Sequence, residues 1–126
     1  MKNLLMATTA ITMMSGAAFA EEVKIGVILG FTGPLESITP AMGAGAELAM
    51  AEVSASGALL DGSTVTSIRG DSTCIDAGAA TTAAERLVTA DKVNAIMGAD
   101  CSGVTGAILA NVALANGIVM ISPSAT

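Results

Sequence analysis

The sequence contains no histidine, tryptophan or tyrosine, and its aromatic residues are limited to two phenylalanines. Without histidine the chain lacks the usual general base at neutral pH, the usual partner of a serine or cysteine nucleophile, and the commonest metal ligand. Basic residues are also few, since 5 Lys and Arg stand against 11 Asp and Glu. This acidic balance disfavours nucleic acid and anionic membrane surfaces as partners. The composition points away from an enzyme, and we expect no catalytic residue, cofactor or bound metal.

The first twenty residues have the three parts of a secretory signal peptide. Residues 1–3 give a short basic start, residues 4–14 are apolar apart from Thr, and Ala18-Phe19-Ala20 is the small-x-small pattern that precedes cleavage. A membrane anchor is the alternative, but the stretch is barely long enough to span and has no positive flank at its end. We therefore predict a signal peptide at 1–20, cleavage after Ala20, and no stable membrane insertion afterwards.

Export changes how the two cysteines, Cys74 and Cys101, are interpreted. They are an even pair in an oxidising compartment, they lack CxxC spacing, and the chain has no histidine. These features favour a disulfide over a zinc or redox site. Two free buried thiols are the alternative.

The exported part of the chain alternates between strand-like and helix-like segments. Apolar, β-branched runs predict buried strands at 23–29, 64–69, 93–97 and 118–121, and Ala-rich segments predict helices at 40–56, 77–90 and 104–116. Thr39 is the expected N-cap of the first helix, Gly57 its stop, and Asp76 the cap of the second helix. The apolar spacing of the first helix comes from Ala41, Ala44, Leu48 and Ala51. The alternation predicts an α/β fold with a doubly wound parallel sheet, whose ligand sites lie beyond the carboxyl ends of the strands.

Four segments carry a resemblance to a known family: VKIGVILGFTGPL, RGDSTCIDAGAATTAAERLV, IMGADCSGVTGA and GIVMISPSAT. They resemble the amino-terminal portion of periplasmic branched-chain amino-acid-binding proteins, the receptors of ABC importers with the type I binding-protein fold. The match covers Val23–Thr126 and depends on the paired cysteines, the serine directly after the second one, and the ISPSAT ending. It implies a receptor in which two α/β lobes close on a ligand, with residues 21–126 forming a Rossmann-like part of the first lobe and the second lobe absent.

The resemblance also implies a function and partners. The full-length receptor binds an amino acid, branched-chain or related, in the periplasm and delivers it to a cognate ABC permease. A ligand-sensing domain of a periplasmic receptor and an inactive gene fragment are the alternatives.

Three site residues follow from the matched motifs. Ser102 corresponds to a contact with the ligand carboxylate through hydroxyl and amide, Thr126 to a second hydroxyl of this kind, and Ser124 to a backbone carbonyl that accepts from the ligand ammonium. Ser102 also lies just before a predicted helix, whose exposed N–H groups and positive end favour a carboxylate. The alternative is that Ser102 is a plain N-cap. Ile38 occupies a position where the family often has an aromatic residue over the ligand.

The remaining polar and glycine motifs have simpler interpretations. We expect Asp100 to be a solvated loop charge or cap, although facing the cleft it would favour a cationic solute. Gly43-Ala44-Gly45 lies inside a helix instead of at the turn before it, so it predicts close helix packing and not a dinucleotide site. A hydrolase would need a base, and neither Lys24 nor Lys92 is placed near Ser102.

Overall fold

The computed structural model describes residues 20–126, so the predicted signal peptide lies outside the described residues except for Ala20. Within this range, strands and helices alternate along the chain. Their bounds are β1 (Glu22–Leu29), α1 (Thr39–Ser56), β2 (Thr64–Asp71), α2 (Ala77–Thr89), β3 (Ala95–Gly98), α3 (Ser102–Ile108), α4 (Leu114–Asn116) and β4 (Val119–Ile121). A 3-10 turn at Leu60–Gly62 precedes β2, and a π-helical turn at Leu109–Ala113 joins α3 to α4.

The four described strands form one parallel sheet in the order β2-β1-β3-β4. From β1 the chain passes to β2 on one side and then returns to β3 on the other side. The strand order therefore reverses between β1 and β3, which is where an open α/β sheet leaves a crevice for a ligand. The register pairs Leu29 with Asp71 and Ile28 with Gly98, so the central strands end at the same edge.

Helices cover both faces of the sheet. On one face, Gly26 and Gly70 leave room for Leu87 of α2, because a Cβ at either glycine would lie 3.0 Å from Leu87 Cδ1. On the other face, Arg69 of β2 reaches Glu47 of α1. The main core lies on the α2 side and joins β1 and β3 to α2 and α3 through Ile28, Ala84, Leu87, Ile96, Val104 and Ile108. The predicted doubly wound α/β fold is confirmed.

Local signals located most helix ends correctly. The side chain of Asp76 accepts a hydrogen bond from the backbone N–H of Ala79 at 2.9 Å, as an N-cap does. Gly57 ends α1 in the left-handed conformation with φ of 68°. Gly70 and Asp71, expected in a loop, extend β2 because they pair with Ile28 and Leu29 of β1.

The predicted cap of α1 is wrong. The N-cap position is Ile38, which makes no side-chain cap bond, and Thr39 is the first helical residue. The Thr39 side chain is fully buried, and its hydroxyl donates to the carbonyl of Gly30 at 2.7 Å and to that of Leu35 at 3.1 Å. Thr39 thus fastens the start of α1 to the end of β1.

Candidate functional site

The candidate site lies at the edge where the strands end, around the point at which the strand order reverses. The loop after β1 begins at Gly30, the loop after β2 carries Ser72, and the loop after β3 runs from Ala99 into α3. The segment after β4, Ser122–Thr126, reaches the same edge. Side-chain hydrogen bonds link all four of these segments.

Asp100 is buried, with only 5% of its surface exposed, so the expectation of a solvated loop charge is wrong. Its Oδ1 accepts a hydrogen bond from the backbone N–H of Gly30 at 3.0 Å and one from the hydroxyl of Ser72 at 3.4 Å. A buried carboxylate needs such donors because burial removes it from water. Asp100 therefore faces the loops that follow β1 and β2 and does not point outward toward solute.

Asp71, the last residue of β2, holds the first loop from the other side. Its carboxylate accepts from the Thr32 hydroxyl at 2.5 Å and from the Thr73 backbone N–H at 2.9 Å. Partial burial raises the pKa of the Asp71 carboxyl, but hydrogen bonds from Thr32, and from the backbone N–H groups of Thr73 and Phe31, outweigh burial and leave that pKa below its usual value. Asp71 is thus a structural acceptor for two loops.

A disulfide joins Cys74, in the loop after β2, to Cys101, at the end of the loop after β3. The two Cα atoms are 5.3 Å apart. The bond fixes the loop that ends in Ser102 against the neighbouring strand end. It is the pairing that export and the cysteine count favoured, and the alternative of two free thiols is wrong.

Ser102 is the first residue of α3, and its side chain does not cap the helix. The N-cap is Cys101, and no side-chain cap bond is made there. Instead, Ser102 Oγ accepts a hydrogen bond from the backbone N–H of Thr126 at 3.0 Å. The plain N-cap interpretation is therefore wrong. Among residues 20–126 the exposed Ser102 hydroxyl donates to no acceptor.

The segment after β4 is held by its own hydroxyls. Ser124 Oγ donates to the backbone carbonyl of Asp100 at 2.7 Å. Ser122 Oγ donates to the carbonyl of Ala99 at 2.5 Å and accepts from the N–H of Ala125 at 2.8 Å. Sequence reasoning did not select Ser122, although the Ser-Pro-Ser pattern is typical of a hydrogen-bonded turn. Ser102, Ser124 and Thr126 therefore lie together at this edge of the sheet.

The first loop carries the one aromatic ring of the described chain. The Arg69 guanidinium stacks 4.8 Å from the centroid of Phe31 and makes two hydrogen bonds to Glu47, at 2.6 and 2.8 Å. The hydrogen bonds from Arg69 hold the pKa of the Glu47 carboxyl below its usual value. A Cβ at Gly43 would lie 3.1 Å from the Phe31 ring, so close packing explains this glycine. Ile38, at the end of the loop, is 52% exposed.

Residues 20–126 form neither a metal-holding cluster of side chains nor a helix that could cross a membrane. No three carboxylate or cysteine side chains there are grouped so that they could hold a metal ion. No helix in that part of the chain is both long and apolar enough to cross a bilayer.

Comparisons with known proteins identify the family of the chain. Residues 22–126 match the family model described as "Periplasmic binding protein". Over 104 residues the chain is 32% identical to Leu/Ile/Val-binding protein homolog 7 of Brucella melitensis, covering 82% of this chain and 25% of that protein. The chain thus spans about a quarter of the length of this curated relative.

Solved structures of substrate-binding proteins are also similar to this chain. The branched-chain amino acid transporter substrate-binding protein LivJ of Streptococcus pneumoniae, in complex with isoleucine, is 36% identical with a TM-score of 0.75, over 84% of this chain and 30% of that one. A solute-binding protein of an ABC transporter from Rhodopseudomonas palustris, in complex with benzoate, is 27% identical with a TM-score of 0.68, over 82% and 28%. Since the family model covers nearly all of the described chain, this chain belongs to the periplasmic binding protein family.

Proposed function

We propose that this chain supplies part of the first lobe of an amino-acid-binding receptor of an ABC importer, exported to the periplasm after cleavage behind Ala20. In this proposal the whole receptor closes two lobes on the ligand and hands it to a membrane permease, and it catalyses no reaction. Proteins of this family bind substrates and are not enzymes. The Leu/Ile/Val-binding relative and the isoleucine-bound structure support the assignment of the ligand class.

The observation that carries the proposal is the meeting of Ser102 and Thr126. They are 24 residues apart in sequence, yet the Thr126 N–H donates to Ser102 Oγ at 3.0 Å beside the start of α3. A ligand carboxylate placed there would accept from the Ser102 hydroxyl, the Thr126 hydroxyl and backbone N–H groups of the first helical turn. Hydrogen bonds to a charged group are the strong ones, so this set can hold a carboxylate against water.

The ammonium of the amino acid needs an acceptor near the same point. We assign this role to the backbone carbonyl of Ser124, whose side chain is anchored to the carbonyl of Asp100 at 2.7 Å. This anchoring fixes the peptide that presents the carbonyl. An acceptor for the ammonium would distinguish amino acids from simple carboxylates.

An aromatic carboxylate is the second candidate ligand, because a related solute-binding protein was solved with benzoate. The carboxylate contacts would be the same for both ligand classes. The two candidates differ at Ser124, since benzoate has no ammonium to donate to that carbonyl.

The test is an NMR titration of the ¹⁵N-labelled chain, from residue 21, with isoleucine, isoleucinamide and benzoate. We expect weak binding of isoleucine, far above micromolar, because such receptors gain much of their affinity by closing a cleft. The amides of Gly103, Val104 and Thr126 should shift with isoleucine and respond little to isoleucinamide, which lacks the carboxylate. A stronger response to benzoate than to isoleucine would favour the second candidate.

Ser102→Ala tests the contact itself. Loss of a hydrogen bond to a charged group should weaken binding roughly ten- to a hundredfold, which at this affinity abolishes the isoleucine shifts. Ser56→Ala is the matched control, because Ser56 ends α1 at the opposite edge of the sheet and bonds only to its own helix end. If Ser102→Ala responds to isoleucine as the parent does while its melting temperature falls, Ser102 has only a structural role and the site is wrong.

A further inference from the structure

Asp100 is a buried acid to which the proposed ligand-binding site assigns no contact with the ligand. Only 5% of the Asp100 surface is exposed to solvent. Within residues 20–126 the ion pairs involve other acids, so no Lys or Arg compensates its charge. Burying an unpaired carboxylate costs free energy unless hydrogen bonds replace the lost water. Such a group is retained where its bonds fix one arrangement of the chain.

The bonds of Asp100 reach every strand end at this edge. The carboxylate accepts from Gly30, after β1, and from Ser72, after β2, while Asp100 itself follows β3. Its backbone carbonyl accepts from Ser124, after β4. Gly30 is 70 residues away in sequence, so the contact is purely tertiary.

The residues that follow Asp100 in the sequence place it directly beside the candidate site. Cys101, the next residue, is tied by the disulfide to Cys74, and Ser102 follows it. Two peptide units therefore separate the buried carboxylate from the hydroxyl that meets Thr126. Because Ser102 is only two residues from Asp100, a shift of the Asp100 backbone would also displace the backbone that carries Ser102.

We propose that Asp100 is the positioning residue of the site: by binding the loops after β1 and β2 it sets the place of Ser102 opposite Thr126 and thereby the affinity for the ligand carboxylate. The ligand part of this inference rests on the proposed function, whereas the geometric part does not. Asp100 does not touch the ligand.

Asp100→Ala and Asp100→Asn separate positioning from charge. In the parent both donors meet the same oxygen, Oδ1, and the amide oxygen of asparagine can occupy that place. Asparagine therefore keeps the bonds and removes the charge, while alanine removes both. Ser72→Ala, which deletes one of the two donors, gives an intermediate variant should alanine at position 100 prevent folding.

The experiment uses the ¹⁵N-labelled chain and three readouts: hydrogen exchange of the Gly30 amide relative to amides of β1, the amide chemical shift of Thr126, and the isoleucine titration. For Asp100→Ala we expect Gly30 exchange to rise roughly tenfold or more, the Thr126 shift to move toward its random-coil value, and isoleucine affinity to fall at least tenfold. For Asp100→Asn all three should stay near the parent values. Ser72→Ala should lie between the two.

Two results would overturn the proposal. One is an alanine variant that exposes Gly30 but leaves the Thr126 shift and isoleucine affinity unchanged, since the carboxylate then holds loops without setting the site. The other is a folded asparagine variant that loses affinity as alanine does, since charge and not position would then matter. If the parent chain responds to neither isoleucine nor benzoate, the proposed function is wrong, and the Thr126 shift alone decides for or against the role of Asp100.

Discussion

Removing the Cys74–Cys101 disulfide is expected to lower the free energy of unfolding by about 3.5 kcal/mol. The bond closes a loop of 27 residues. In the chain-entropy model, closing a loop of that length restricts the unfolded chain by about 12 cal/mol/K, or about 3.5 kcal/mol at room temperature. For a domain of about 100 residues, this corresponds to a fall in melting temperature of roughly 15 °C or more. Since single domains are stabilised by about 5–15 kcal/mol, the reduced chain would be only marginally folded.

The assay is urea unfolding of the chain from residue 21, with and without reductant. Far-UV circular dichroism is the suitable probe, because the sequence has no tryptophan or tyrosine. The Cys74→Ser/Cys101→Ser double variant should match the reduced parent and should not respond to reductant. Equal urea midpoints for the oxidised and reduced parent would refute the reasoning, as would two thiols that alkylate without reductant.

Two other substitutions test the packing and the electrostatics of the same edge. Gly98→Ala should prevent folding, because φ at Gly98 is 133° and a Cβ there would lie 2.0 Å from the Ile28 carbonyl oxygen. Gly106→Ala is the control, because no atom lies within 4 Å of a Cβ at that position. The control should keep or slightly raise the melting temperature. Asp71 has a folded-state pKa below the ordinary value of 3.8, so its contribution to stability is present above that pH and is lost as the pH falls through the folded-state pKa. Comparing urea midpoints at pH 5 and pH 3, the parent should therefore lose more stability than Asp71→Asn, and equal losses would show that Thr32 and Thr73 do not favour the charged form.

Features that depend on neighbouring residues were predictable from the sequence. Asp76 caps α2 through a bond to a residue three positions on, and Gly57 ends α1 through its own backbone conformation. The alternation of strands and helices follows from apolar periodicity, which is also local. The fold class could therefore be predicted, and it is confirmed.

Several features that depend on distant residues could not be predicted. Asp100 resembles any loop acid in sequence, and only its bond to Gly30, 70 residues earlier, shows that it is buried. Thr39 was expected to cap its helix, but the Gly30 carbonyl offers its hydroxyl a buried acceptor. The buried face of a helix also depends on distant residues. Leu48 belongs to the apolar spacing that indicated α1, yet it is 60% exposed. Periodicity predicts a helix without showing which side packs.

The hydroxyl groups at the strand ends differ in their hydrogen bonds in ways that the sequence alone does not show. The Ser122 hydroxyl donates to the carbonyl of Ala99, and the Ser124 hydroxyl donates to that of Asp100. The Thr105 hydroxyl donates to the carbonyls of Ala99 and Cys101. Those carbonyls belong to the loop after β3, so these side chains hold the loop in place. Ser102, on the same edge, accepts from Thr126 and donates to nothing among residues 20–126. Where the proton of each of these serines goes depends on how the strand ends come together in the folded chain.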